Sequence, residues 1–526
     1  MRSIVSVILL AIAATAADSP TLSVTGGQLH GGLLEKGGAV FKGIPFAQPP
    51  VGDLRWREPL PVKSWTGVRE AAAFGPPCAQ NANGRMLESS KEDCLFLNVW
   101  TGEWPSKARK PVMVWIHGGG NYGGTASSNN FDGESLARHG VVLVSINYRL
   151  TVFGFFAHPE LTKESPHHAS GNYGLLDQIA ALKWVHDNIA KFGGDPANVT
   201  IFGQSAGAVD VDVLMTSPLA KGLFHRAIAE SGTVTRNPDD ATLRMTALGA
   251  VMQVKNGPVT YSDAADRAEA EAAGEKLSAS LHVLRAISAA DLLRVAAAPR
   301  MAIGPANGVS VDGWVFPQPP AQVFATGKEQ RVPLLVGNNA RERTPPRTTP
   351  EEVTQAIEAM YGSLAPKALA LYPAAQPADT LYGAYDAQWV VDTMYRCPVV
   401  AQAAWHAAAG NTAYEYQFDH APPGREALGA VHGAEVPYVF GTVKGGPADA
   451  EISAAMQEYW TNFAKSGNPN GEGLPQWPRF DASARGYMEF TDSGPQPREG
   501  LRRPYCDLYL ENVNRLIRGQ ATKPPN

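Results

Sequence analysis

An α/β fold, with a mostly parallel central sheet flanked by helices, is predicted by three features of this sequence. Apolar runs occur at residues 111–116 (PVMVWI), 198–202 (NVTIF) and 332–336 (VPLLV), each leading into a loop. Each reads as a strand, the first two as buried ones. The second run is followed at 206–215 by a stretch that can start a helix, so strand, sharp turn and helix succeed one another. The composition, 44% hydrophobic and 18% charged over 526 residues, supplies apolar surface for a large core. Length alone would suggest roughly three domains. Periodicity, however, reveals no polar linker and no repeat.

The turn after 198–202 is Gly203-Gln204-Ser205-Ala206-Gly207, a G-x-S-x-G run. Behind a buried strand, this run presents a nucleophilic serine at the top of an α/β-hydrolase sheet. The serine backbone is strained there, and side chains at the flanking positions would clash, so glycine is needed on both sides. A chance match has many opportunities among 52 glycines, so the rest of the chain must decide. A serine attacking a carbonyl builds negative charge on oxygen that donors must meet. Residues 111–116 run into His117-Gly118-Gly119-Gly120, whose glycines let backbone N–H groups face a cavity. Gly119, Gly120 and Ala206, the residue after Ser205, are therefore the candidate oxyanion donors.

Further runs carry a specific resemblance. They include Gly43-Ile44-Pro45-Phe46-Ala47, Glu92-Asp93-Cys94-Leu95-Phe96-Leu97-Asn98, Asn147-Tyr148-Arg149, Ser217-Pro218-Leu219-Ala220-Lys221-Gly222-Leu223-Phe224-His225 and Phe463-Ala464-Lys465-Ser466-Gly467-Asn468-Pro469-Asn470. In this order, over nearly the whole length, the chain resembles the type-B carboxylesterases, the group that includes bacterial carboxylesterases and the cholinesterases. The resemblance implies the α/β-hydrolase fold with helical cap insertions, formed as one domain over residues 18–526. The Ala-rich stretch at 263–298 has helical periodicity and is expected in the cap.

The same resemblance assigns an acid and a base. Residues 332–336 exit into Gly337-Asn338-Asn339-Ala340-Arg341-Glu342, similar to the family segment that ends in the triad glutamate, so Glu342 is the candidate acid. The family usually has glycine next, whereas this chain has Arg343, a cation able to compete for the carboxylate, as is Arg341. Among 12 histidines, His432 lies in Gly429-Ala430-Val431-His432-Gly433-Ala434-Glu435-Val436-Pro437-Tyr438, which is similar to the family's histidine segment. The chain order Ser205, Glu342, His432 is the order of this fold. An imidazole can take the serine proton and return it to the leaving group, and the carboxylate would hold its tautomer. Ser231 resembles a serine that supports the acid. Ion pairs of Arg55 with Glu92 and Arg149 with Asp177 are implied as structural.

Four cysteines allow three pairings. The resemblance implies Cys78 with Cys94 and Cys397 with Cys506. Disulfides require an oxidising compartment, and the amino terminus agrees. Arg2 precedes an apolar run at 4–14 and then Ala14-Thr15-Ala16, the pattern of a signal peptide spanning 1–17, with cleavage after Ala16 or Ala17. No later stretch reaches about 18 apolar residues, so no membrane span is expected, and the protein is read as secreted or periplasmic. A net charge of −5 without a basic cluster argues against nucleic-acid partners.

The expected activity is that of an exported serine carboxylesterase on small-molecule esters, without metal or organic cofactor, acting as a monomer or homodimer. A lipase or amidase of the same fold is the alternative. A non-catalytic adhesion protein is opposed by the intact Ser205 and His432 segments. Choline esters are disfavoured, because the 78–94 loop contains no aromatic residue to face a quaternary ammonium. Asn121 stands where the family commonly has phenylalanine, which implies a more polar pocket beside the oxyanion donors. Asp210 would add to this if it points inward, and a helix face turned away is equally open.

Overall fold

In the computed structural model, residues 20–82, 85–106, 108–234, 280–296, 309–342 and 349–521 are described, together with Ala265–Asp266, Glu271 and Glu275. The signal segment 1–17, Arg343 and much of the 263–298 stretch lie outside the described residues.

Among the described residues, eleven strands form one sheet. In chain order they are β1 (Gly32–Leu33), β2 (Ala39–Pro45), β3 (Phe96–Thr101), β4 (Lys110–Ile116), β5 (Val142–Ile146), β6 (Gly194–Gln204), β7 (Arg226–Glu230), β8 (Leu334–Asn339), β9 (Ala413–Phe418), β10 (Gly486–Thr491) and β11 (Gly494–Glu499). Across the sheet the order is β11-β10-β9-β8-β7-β6-β4-β5-β3-β2-β1. The run from β10 to β5 pairs in parallel throughout, and the strands at both edges are antiparallel. This is the α/β-hydrolase architecture.

The apolar runs are continuous because both faces are covered, and the period of two sorts them. Val112, Val114, Ile116, Val144 and Ile201 face a core shared with helix α1 (Tyr173–Asn188), helix α2 (Ala206–Thr216) and helix α3 (Cys397–Ala408). Met113, Trp115, Leu143 and Phe202 face the other core, built around Met456, Tyr459 and Trp460 of helix α4 (Pro447–Ser466). Successive side chains of a strand point to opposite faces, so each run serves two layers.

Two boundaries differ from the sequence reading. The 198–202 run belongs to a strand that continues to Gln204, so β6 delivers the chain directly to Ser205. The 332–336 run enters the ladder register at Leu334, opposite Ala413; Pro333 has no N–H to give, and only its carbonyl joins in, accepting from Ala227 N at 3.0 Å. The two disulfides join Cys78 to Cys94 and Cys397 to Cys506. The second ties the start of α3 to helix α5 (Arg503–Ala521). Among the described residues, no helix is long and apolar enough to cross a membrane.

Both implied ion pairs form. Arg55 Nε donates to Glu92 Oε2 at 2.8 Å, while its Nη1 donates to Leu284 O and Ile287 O at 2.7 and 3.1 Å, anchoring the described part of the 263–298 stretch. Arg149 Nε and Nη2 each donate to Asp177 at 2.7 Å, and both residues are buried. Burial pushes the Asp177 carboxyl up, and Arg149 pulls it back down. A buried pair of this kind is costly to break singly, because the surviving charge keeps its desolvation cost. Arg149→Met is expected to lower unfolding free energy by about 3–5 kcal/mol in denaturant titration. The double variant Arg149→Met with Asp177→Leu should recover part of that loss.

Candidate active site

Ser205 sits between β6 and α2 with φ 58° and ψ −122°, a backbone conformation that non-glycine residues rarely adopt. Its N–H donates to Glu230 O on β7 at 2.8 Å, and its carbonyl accepts from the N–H groups of Ala208 and Val209 at 3.0 Å. The turn is this tight because its flanks lack side chains. A Cβ on Gly203 would lie 2.6 Å from the backbone of Gly207, and one on Gly207 would lie 2.1 Å from the carbonyl oxygen of Ile116. Strain of this kind costs on the order of 1–3 kcal/mol and persists where the surroundings enforce it. Ser205 is thereby held, partly buried, at the N-terminus of α2, where the helix dipole favours negative charge.

The loop after β4 closes over the same point. Gly119, Gly120 and Asn121 all have positive φ, at 115°, 67° and 60°. A Cβ on Gly118 would come within 3.0 Å of Ser205 Cβ. The N–H groups of Gly119, Gly120 and Ala206 find no acceptor among the described residues. Behind the loop, His117 is buried and stacks on Tyr148 with ring centroids 4.5 Å apart. Burial lowers its imidazole to about 4, so it is neutral near pH 7. Tyr148 donates its hydroxyl towards His117 O at 2.7 Å and Asn121 Oδ1 at 3.0 Å.

His432 Nδ1 lies 2.6 Å from Glu342 Oε2, and its backbone N–H donates to Glu342 O at 2.9 Å. The other carboxylate oxygen accepts from Asn339 N at 2.7 Å, so Glu342 is buried and held from two sides. Arg341 turns elsewhere, donating to the carbonyl oxygens of Leu381 and Thr380. His432 Nε2 lies 3.3 Å from Gln204 Nε2, on the residue before Ser205. Among the described contacts it is this amide, not the serine hydroxyl, that meets Nε2. The Tyr395 ring lies 5.3 Å from the imidazole.

Glu435 was not singled out as a site residue from the sequence, although it lies three positions after His432. It is fully buried, accepts from Ser231 Oγ at 3.2 Å and from Asn339 Nδ2, and burial together with the Glu342 charge pushes it up to about 7. Ser231 therefore reaches Glu342 through Glu435 and Asn339 rather than directly. Glu230 is pushed well up by burial and by Glu435, and it accepts from Trp460 Nε1 at 2.7 Å. The only sequence signal for Glu435 was a carboxylate inside an otherwise apolar segment. Asn121 is buried, and its amide donates to Asp210 Oδ1 at 3.1 Å. The 78–94 loop packs against the glycine loop through Gln80, which donates to Gly124 O at 2.8 Å. Two cavities, of about 270 and 340 Å³, are lined by Trp314 and by α1 residues including Leu176, and Ser205 lines neither. No group of three or more His, Cys, Asp or Glu among the described residues could hold a metal ion.

Strand, strained serine, glycine loop and a carboxylate on a histidine are the parts of an ester-hydrolysing site, and comparison with known proteins is decisive. A model of the carboxylesterase family matches residues 18–509. The chain belongs to that family. This carboxylesterase is 37% identical over 468 residues to the fumonisin B1 esterase of Sphingopyxis macrogoltabida, covering 84% of this chain and 81% of that protein. It is 35% identical over 507 residues to liver carboxylesterase 1 of Oryctolagus cuniculus, covering 86% and 85%. Among solved structures, the carboxylesterase EST55 of Geobacillus stearothermophilus superimposes with a TM-score of 0.77 at 32% identity, over 93% of this chain and 99% of that one. A PNB esterase gives 0.75 at 32% identity, over 92% and 99%. The protein is thus a carboxylic-ester hydrolase of the α/β-hydrolase fold.

The glycine contacts make a direct prediction. Gly207→Ala should destabilise by about 1–3 kcal/mol, because backbone must move to admit the methyl. It should also lower ester turnover at least tenfold as the Ala206 N–H shifts. Gly519→Ala, with open space around the position in α5, should leave both unfolding temperature and rate unchanged or slightly improved.

Proposed function

We propose that this carboxylesterase is an exported serine hydrolase that cleaves small carboxylic esters through an acyl-enzyme. Ser205 is the nucleophile, His432 the general base and acid, and Glu342 the orienting carboxylate. Gly119, Gly120 and Ala206 supply the oxyanion donors. The observation that carries the reading is the 2.6 Å contact of Glu342 with His432 Nδ1 beside a serine in a strained strand-to-helix turn. With Nδ1–H given to the carboxylate, the lone pair lies on Nε2, and an amide NH₂ from Gln204 facing Nε2 fits that tautomer.

In the reaction, the Ser205 hydroxyl displaces Gln204 at Nε2 and transfers its proton there as Oγ bonds to the ester carbonyl. The carbonyl oxygen becomes the oxyanion, met by the three N–H groups. Collapse expels the alkoxide, which takes the proton from His432. Water then repeats the sequence on the acyl-serine and releases the acid, restoring the serine. Glu342 keeps the imidazole oriented and stabilises the imidazolium while it exists. Two disulfides and the 1–17 leader pattern support export. The aromatic-free 78–94 loop supports neutral rather than choline esters.

Kinetics of single variants test the assignment. Ser205→Ala should abolish hydrolysis of p-nitrophenyl butyrate with the unfolding temperature retained. Glu342→Gln should lower kcat by on the order of a thousandfold with little change in KM, since the lost charge matters only while the imidazolium exists. Turnover near the wild-type rate in Ser205→Ala would refute the nucleophile. A Glu342→Gln variant with wild-type kcat would refute the acid.

A further inference from the structure

The turn that follows the glycine loop ends on a polar cluster in the molecular interior. Asn121 has φ 60°, in the left-handed region that asparagine adopts more readily than most L-residues. Its backbone oxygen accepts from Thr151 N at 2.8 Å. Its amide bridges two buried groups: Oδ1 accepts from Tyr148 and Nδ2 donates to Asp210 Oδ1 at 3.1 Å. Asp210 is fully buried, no cation pairs with it among the described residues, and its second oxygen accepts from Gln178 Nε2 of α1 at 2.6 Å. A carboxyl placed among apolar helices at the cost of its hydration calls for a role, and burial does push it up to about 7 against both amide donors.

The position of Asp210 in the chain suggests that role. It lies on α2, five residues or about 7.5 Å of helix axis beyond Ser205. The N-terminus of that same helix carries Ala206, one of the oxyanion donors. The other two donors, Gly119 and Gly120, immediately precede Asn121. The Asp210–Asn121 hydrogen bond therefore links the two separately built halves of the oxyanion hole through a short buried strut. On the reading of Ser205 and the oxyanion donors given above, we propose that Asp210 is a positioning residue. Through Asn121 it holds the Gly119–Gly120 backbone in register with the helix that carries Ser205 and Ala206. Gln178 and Tyr148 fix the strut at its ends. Because an oxyanion forms only in the tetrahedral state, loss of the strut acts on that state and spares ground-state binding.

Steady-state kinetics on the full-length protein, combined with inhibition by an alkyl trifluoromethyl ketone, test this. The ketone adds to the serine as a hemiketal whose oxyanion occupies the hole. Asp210→Leu should lower kcat for p-nitrophenyl butyrate about 10- to 100-fold with KM within about threefold, since displacement of a catalytic group by about an ångström has effects of that size. Its affinity for the ketone should fall in parallel with kcat/KM. Asp210→Asn should stay within about threefold of wild type, because Gln178 Oε1 has no partner among the described residues and can rotate to accept the new NH₂. Asn121→Gly keeps the left-handed backbone, deletes the strut and should match Asp210→Leu even if that variant folds poorly. The double variant should be no slower than either single one.

Undiminished kcat and ketone affinity in folded Asp210→Leu or Asn121→Gly would overturn the proposal, as would a loss expressed only in KM. A wild-type enzyme unaffected by the ketone would instead overturn the serine mechanism on which the strut depends.

Discussion

The close approach of three backbone segments at Gly203, Gly207 and Ile116 is the constraint on which the rest of the site depends. β6 must end, reverse at Ser205 and enter α2 while in contact with the end of β4, and no side chain fits between them. The crowding holds Ser205 at φ 58°, in the sharp turn between strand and helix. The contact also joins the glycine loop after β4 to the helix after β6, and it brings Gly118 beside Ser205. The parallel sheet supplies the reach. β8 and β9, on the far side of β7, carry the chain to the loops that hold Glu342 and His432.

Electrostatics around His432 depend on burial as much as on contact. Glu342, Glu435 and Glu230 lie in one buried region, where three negative charges would repel strongly. Burial and repulsion from a neighbouring carboxylate push Glu435 and Glu230 up, which favours their protonated forms and lessens the repulsion in that region. Hydrogen bonds through Asn339 and Ser231 hold the group in place. A similar economy operates on the other flank, where neutral His117 packs behind the glycine loop without adding a competing cation.

Local pattern made much of this legible in the sequence. Apolar runs marked the strands because both faces of a parallel sheet are dry, and the glycines around Ser205 marked a turn whose crowding demands them. The ordered family runs identified the carboxylesterase family, and with it the segments of Glu342 and His432 and the two disulfide pairings. The strand limits were read less well, since pairing rather than composition decides them: Gln204 extends β6, and Pro333 delays β8. Glu435 is not legible as a site residue, because a carboxylate with apolar neighbours occurs in solvated segments as well as in buried ones. The bond between Asn121 and Asp210 was likewise out of reach. It exists only because the sheet order brings the β4 loop against α2, 89 positions later in the chain.

The central claim is that one serine, held in a backbone turn, carries the chemistry. Stoichiometric labelling with a fluorophosphonate, followed by peptide mapping, measures this most directly. The structure predicts one phosphonyl group per chain, on Ser205, accumulating in step with the loss of esterase activity. Activity lost with the label on another residue, or full activity retained with Ser205 labelled, would contradict it.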